Sequence, residues 1–531
     1  MATEAAEATE QPATSTASPP PPRRRLRRLP WRHLPLLVLL GVYLYARIRI
    51  LTGYALFTAP DTGSYADRPG TPIETLSFTG HAPRPWGVPL LYALVDTDAA
   101  RVTLQWTIGT LAWSLLICAC WGRLRHLPAR LLSAAALICL ALARSVYTWD
   151  HAILSESLSI SLGVAALALL TIWVTTRSWT ALGALVLVTT WWAFTRQDVL
   201  PYVVLLVVVL AGHAARRRYR WGGLVATVLL LGTVGWQLSI VPTIDQSYRS
   251  WGTGLSLSDA TFLYRLRFQV LNDPEVKAAY QQEFGMPGCE RAERLAETPF
   301  WAMGPFIKAY RECPELMAWV QREKGSVGYR YARAHPDHYT EQVLKVLPSS
   351  LDGTAGRYAQ PVPGLPTFPE KVFFPDRHKV LPQAGVLFLV ALGVGLLARA
   401  FRRARWLAGA GALLALASTA SAVAGMMYSA GEYSRFGIQE AVLLRVGLIV
   451  LAAAALEAVT ACLADGVTAL RRRAPALAGP AAATASDAGP PDEAAQAPER
   501  ELPEDAPVPD DAADGEPAGK PDLSIPQPRK T

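Results

Sequence analysis

Residues 23–57 read RRRLRRLPWRHLPLLVLLGVYLYARIRILTGYALF, an arginine-dense stretch running straight into a long apolar one. The start resembles the n-region of a signal sequence. The apolar part is too long for one, however, and no small-x-small cleavage site follows, so the expectation is a retained signal anchor with a cytoplasmic N-terminus. A membrane span needs about twenty mostly apolar residues. By that criterion about ten segments qualify: 34–56, 102–121, 130–147, 153–175, 180–195, 198–213, 222–241, 381–399, 406–428 and 437–463. The fifth and sixth are short and separated by only a few polar residues.

Composition agrees. The 531-residue chain is 51% hydrophobic, too apolar for an ordinary soluble protein. Its net charge is +8, but the arginines sit in short clusters between apolar runs, not along one face or tract, which argues against a nucleic-acid partner. With the N-terminus inside, the clusters at Arg123, Arg125 and Arg130, at Arg177, at Arg216–Arg218 and Arg220, at Arg399–Arg405 and at Arg471–Arg473 all fall in cytoplasmic turns. The fold class expected is therefore all-α. It is a polytopic membrane protein with about 10 transmembrane helices, both termini cytoplasmic, plus a mostly helical outer-face loop domain.

Five regions follow. Residues 1–33 are a disordered basic N-terminus, and 34–241 a transmembrane module whose first outer loop is 58–101. Residues 242–380 form a large extracytoplasmic loop domain with helix-like stretches near 274–284, 314–324 and 337–347. Residues 381–463 are C-terminal transmembrane helices, and 464–531 an acidic, disordered tail with almost no aromatic residues. Four cysteines lie in apolar runs and read as packing residues. Cys289 and Cys313 lie in the large loop, where an oxidising compartment would allow them to bridge.

The polar residues that share the outer side carry the chemistry. The first loop, TAPDTGSYADRPGTPIETLSFTGHAPRPWG (58–87), supplies Asp61, Tyr65, Arg84 and Trp86. Other outer junctions supply Asp150, His151 and Glu156, then Arg196, Gln197 and Asp198, then Glu432 and Arg435. Ionisable residues at the membrane edge are costly and usually functional, so an outward-opening cleft is expected. Each also has a plainer reading. Asp61 before Thr62-Gly63 suits a turn, Glu156 suits a helix N-terminus, and Arg196 could simply pair with Asp198. Arg47 and Arg49 are expected to snorkel to lipid headgroups. His335 and His338 have metal-ligand spacing but no second ligand pair nearby, which favours a solvated loop.

The order of these motifs resembles the GT-C glycosyltransferases that use polyprenyl-phosphate sugars, of the protein mannosyltransferase and aminoarabinose transferase kind. The pieces are DTGSY (61–65), RPWGVPLLYAL (84–94), HAILSESLS (151–159) and TRQDVLPYVVL (195–205), followed by the large loop after the seventh span. The resemblance implies inverting transfer of a sugar from a polyprenyl-phosphate-linked donor in the membrane lipid to a hydroxyl acceptor (glycan, lipid or protein) on the outer face. Asp61 would be the general base, and Arg84, with Arg196, would hold the departing phosphate. Asp150 or Glu156, beside His151, would orient the acceptor or sugar, with Tyr65, Trp86 and Trp149 available to stack on a sugar face. Family members often have paired acids in the first loop, whereas Thr62 follows Asp61 here. The chain supplies no clear metal site, so a divalent metal is neither required nor excluded. The competing class is a transporter or flippase of a lipid-linked or anionic substrate. The absence of an internal repeat and the gathering of charges at one face count against it.

Overall fold

The structure is a computed structural model that describes residues 33–59, 61–66, 84–215, 220–251, 254–298, 303–353, 362, 365–397, 401–426 and 433–477. The arginines before the first span, those at 216–218, the middle of the first loop, Glu432 and the tail beyond 477 lie outside the described residues. The described chain is helical, without strands; one isolated parallel bridge joins Phe57 and Ala152. It divides into two units, Met1–Arg471 and Arg472–Thr531, and everything below concerns the first.

The helices that matter here are α1 (Leu34–Gly53), α2 (Thr62–Ala66), α3 (Gly87–Tyr92), α4 (Asp98–Arg123), α5 (Leu127–Ala141), α6 (Arg144–Tyr147), α7 (Glu156–Thr176), α8 (Trp179–Ala193), α9 (Leu200–Ala214) and α10 (Arg220–Ser247). After a region of short helices come α11 (Pro336–Leu351), α12 (Phe368–Phe373), α13 (Val380–Leu397), α14 (Phe401–Met426), α15 (Tyr433–Phe436) and α16 (Ile438–Leu477). Among the described residues eight helices are long and apolar enough to cross a membrane, or nine if a bent pair counts as one span. That is the signature of a multi-pass membrane protein.

Each of the ten expected segments contains a described helix, but two differ in kind. The third breaks at Leu142–Ala143, where α5 meets α6 and its following turn at 55°. Glu370 stabilises the break by accepting from the Ser145 backbone N–H at 2.9 Å and its hydroxyl at 2.5 Å. The fifth, α8, has 15 residues; at 1.5 Å per residue it covers about 22 Å, short of a hydrocarbon core of roughly 30 Å.

Large apolar side chains such as Val42, Leu187, Val208 and Leu389 are exposed along these helices, which is costly in water and suits lipid. The inner faces bury one continuous core through α1, α4, α7, α8, α9, α14 and α16. At Gly411 and Gly447, α14 and α16 cross so closely that a Cβ at either would lie 2.6–2.7 Å from the other's backbone. Small residues permit such approaches between membrane helices.

Residues 255–331 build a second, separate core around Phe262, Leu266, Phe306 and Trp319. Cys289 and Cys313 are bridged in it. The helices expected near 274–284 and 314–324 are Pro274–Gln282 and Pro314–Glu323, the first capped by Asp273, whose carboxylate accepts from the Glu275 and Val276 N–H groups. Asp259 is held by Lys324 at 2.5 Å; burial raises its pKa, but the Lys324 and Ser256 contacts outweigh this and leave it below the ordinary range.

Candidate functional site

The first loop is fastened to the turn between α6 and α7. The Phe57 N–H donates to the His151 carbonyl at 3.0 Å, and the Ile153 N–H donates back to Phe57 at 3.2 Å. Thr62 Oγ1 donates to the Ile153 carbonyl at 3.0 Å, and the Tyr65 hydroxyl lies 3.3 Å from Ser155 Oγ. From the other side, Gln105 Nε2 donates to the carbonyls of Asp150 (2.6 Å) and Ala152 (2.8 Å), and the Tyr92 hydroxyl donates to that of Leu154 (3.0 Å). A turn this deep needs such partners, because an unpaired buried carbonyl costs roughly 1–3 kcal/mol. These bonds set Asp61 and Glu156 side by side.

A chain of alternating charges results. Arg84 Nη2 lies 3.6 Å from Asp61 Oδ2, and Arg435 Nη2 donates to the same oxygen at 2.8 Å. Arg435 Nε donates to Glu156 Oε1 at 3.0 Å, and Arg196 Nη1 lies 3.5 Å from that oxygen. Arg196 also donates from Nε and Nη2 to Asp198 at 2.5–3.1 Å. Three guanidinium groups thus alternate with three carboxylates. Glu156 is buried at 1% exposure, whereas the Asp61 side chain is 37% exposed at the end of the chain. Asp61 is the most exposed of the three acids, ahead of Asp198 at 28%.

Arg84 is aimed by its neighbours. Its Nε donates to Ser64 Oγ at 2.9 Å, Ser64 Oγ donates to the Asp61 carbonyl at 2.6 Å, and the guanidinium lies 4.8 Å over the Tyr65 ring. Burial alone would raise the Asp61 pKa; Arg84 and then Arg435 outweigh it and hold the carboxyl below its ordinary value. Tyr248, just past α10, feels both Arg84 and Asp61, and burial pushes its phenol up.

Several expectations need correction. Arg47 does not snorkel: at 1% exposure it pairs with Asp150 at 2.6 Å and donates to Thr110 Oγ1 at 3.0 Å. Arg49, two residues on, is exposed. Asp150 also accepts from Ser157 Oγ at 2.6 Å and belongs to this separate pair with Arg47, whereas Glu156 shares Arg435 with Asp61. His151 is buried, its ring 4.6 Å from that of Tyr54. Trp149 is fully buried and Tyr65 is buried beneath Arg84, so neither offers an open ring face; Trp86 is half-buried and stacks on Phe194 at 5.0 Å. His335 Nε2 lies 3.0 Å from Glu283 Oε2. Among the described residues no group of three or more His, Cys, Asp or Glu side chains could hold a metal ion.

Arg435 is the residue that the sequence undervalued. Its one signal was the acid–arginine pairing in GEYSRFG (431–437). It sits on α15, a single helical turn wedged against the end of α11. Gly437 follows it, and a Cβ there would overlap the Ser350 carbonyl. Buried Arg445 fixes the same junction by donating to the Leu351 carbonyl at 2.8 Å and to that of Phe373. Comparison with family models, curated proteins and solved structures finds no match for this chain.

Proposed function

We propose that the protein is an inverting membrane glycosyltransferase that moves a sugar from a polyprenyl-phosphate donor to a hydroxyl acceptor on the extracytoplasmic face. The observation that carries the reading is the placement of Asp61: a partly exposed carboxylate held between two arginines at the end of a membrane-helix bundle. In this reading the chain spans the membrane ten times with both ends cytoplasmic, and residues 242–380 cover the site from outside.

The acceptor oxygen attacks the anomeric carbon from the face opposite the phosphate. Its proton passes to the Asp61 carboxylate, an effect commonly worth about 10²–10⁴-fold. The anomeric carbon–oxygen bond breaks, and polyprenyl phosphate leaves with the electron pair. Guanidinium groups stabilise that developing charge, since Arg pairs with phosphate in a planar, bidentate manner. Arg84 and Arg435 are engaged by Asp61 in the resting site. A phosphate that draws them away removes the two cations that depress the Asp61 pKa, so donor binding itself makes Asp61 a stronger base.

The test is a panel of labelled polyprenyl-phosphate sugars offered to the purified protein in lipid vesicles, with the anomeric configuration of the product determined. Consumption of one donor with inversion supports the reading. Movement of intact lipid-linked sugar across the bilayer with no donor consumed would instead establish the transporter.

A further inference from the structure

A charged cavity lies at the other end of the bundle from Asp61. α4 starts beside the Asp61 site, where Arg101 Nη2 donates to the Ala66 carbonyl at 3.2 Å. It is 26 residues long and ends at Arg123, about 38 Å from its start at 1.5 Å per residue. There a cavity of about 200 Å³ is lined by Arg123, Leu124, Arg125, Ala404, Leu407 and Glu457.

The acid in this lining is already committed. Glu457 is 7% exposed. Its two oxygens accept from the backbone N–H groups of Arg125 at 2.9 Å and His126 at 3.0 Å, with His126 Nδ1 at 3.1 Å from Oε1. It serves the start of α5 and pairs with neither arginine. Arg123 Nε is buried with no hydrogen-bond partner among the described residues, and the Arg125 side chain is exposed. Neither guanidinium is in an ion pair among the described residues. Ala404 and Leu407 come from α14, whose first turns also bring exposed Arg405 to this end.

Two guanidinium groups with no ion-pair partner among the described residues, in a cavity whose one carboxylate is held by backbone N–H groups and whose other walls are leucine and alanine, suit an added anion. Guanidinium forks match phosphate oxygens, and basic pockets between membrane helices suit anionic headgroups. We infer that this cavity binds a phosphate group, and that its source is the headgroup of an anionic phospholipid in the adjoining leaflet. A leucine-walled cavity at a helix end admits the start of an acyl chain, which inorganic phosphate lacks. The inference is independent of the reaction proposed at the opposite end.

The full-length protein in detergent would be melted with phosphatidylglycerol, phosphatidylcholine or inorganic phosphate, beside Arg123→Gln/Arg125→Gln. Native mass spectrometry would count bound phosphatidylglycerol in parallel. Phosphatidylglycerol should raise the wild-type Tm and phosphatidylcholine should not. The double variant should lose most of that shift and its retained lipid, and Arg123→Lys should keep part of both. If the variant is too unstable to melt cleanly, lipid retention by Arg125→Gln alone decides, and retention equal to wild type overturns the inference. Equal phosphatidylglycerol shifts in wild type and double variant, or none in wild type, also overturn it. A shift from inorganic phosphate as large as that from the lipid, and lost in the variant, would keep the phosphate site but overturn the lipid source.

Discussion

Asp61 and Arg435 are 374 positions apart in the chain, yet Arg435 Nη2 donates to Asp61 Oδ2 at 2.8 Å. The early part of the chain supplies the exposed acid and the late part the cation that holds it. Because Arg435 also donates to Glu156 at 3.0 Å, a single guanidinium ties the first loop, the start of α7 and the start of the last long helix. A change at Arg435 is therefore felt both as stability and as chemistry, and the two can be separated.

Arg435→Met leaves Glu156, at 1% exposure, with Arg196 as its remaining cation. Removing one partner of a buried pair typically costs about 3–5 kcal/mol. Because Arg196 remains, the low end is expected, about 3 kcal/mol. Glu156→Gln in the same chain should recover part of it, with a coupling of roughly 1–3 kcal/mol in a double-mutant melting cycle. Arg435→Lys cannot fork to two carboxylates and should recover less. Additive losses would contradict the shared-guanidinium arrangement.

The Arg47–Asp150 pair predicts a different profile. Both groups are buried and meet at 2.6 Å, away from the Asp61 chain. Arg47→Met should lower stability by about 3–5 kcal/mol. Donor KM measured on the folded fraction should stay near wild type. A large rise in KM at unchanged stability would return Asp150 to the binding site.

The Cys289–Cys313 bridge closes a loop with a sequence separation of 24. In the chain-entropy picture it contributes about 3 kcal/mol to the small core around Trp319. Reductant should lower the melting temperature of that region, and Cys289→Ser/Cys313→Ser should melt lower and lose its response to reductant. A bridge also implies an oxidising compartment. Mass measurement of protein alkylated before reduction reports whether the bond forms in the cell.

The pH dependence of stability follows from the direction of the Asp61 shift. The folded pKa lies below the ordinary 3.8, so ionised Asp61 stabilises the folded state. That contribution is complete above 3.8 and is lost as pH falls below it through the folded value. The melting difference between wild type and Asp61→Asn should be constant at neutral and mildly acidic pH and should shrink below that point. A difference that grew on acidification would reverse the sign.

Helix positions were legible because apolar runs of membrane length report directly on the solvent they face. Two features escaped. The break after Ala141 is stabilised by Glu370, far along the chain, and nothing local to residues 130–147 marks it. Arg47 looked like a snorkelling residue because its partner Asp150 lies on another segment. The site shows the same division. Asp61, Arg84, Glu156 and Arg196 stood out because charges beside apolar runs are conspicuous. That Glu156 and not Asp150 joins Asp61 depends on which arginine each acid meets, a tertiary matter that spacing does not encode. Trp86 and Trp149 carry ring faces in the sequence, but only packing decides whether a face is open.

The most direct test is donor consumption by wild type and Asp61→Asn in lipid vesicles, with melting curves to establish that both are folded. The account predicts that one polyprenyl-phosphate sugar is consumed by wild type and that the folded variant is slower by about 10²-fold or more. A folded Asp61→Asn that turns the donor over at the wild-type rate would contradict it, leaving Asp61 as a residue that only holds Arg84 and Arg435 in place.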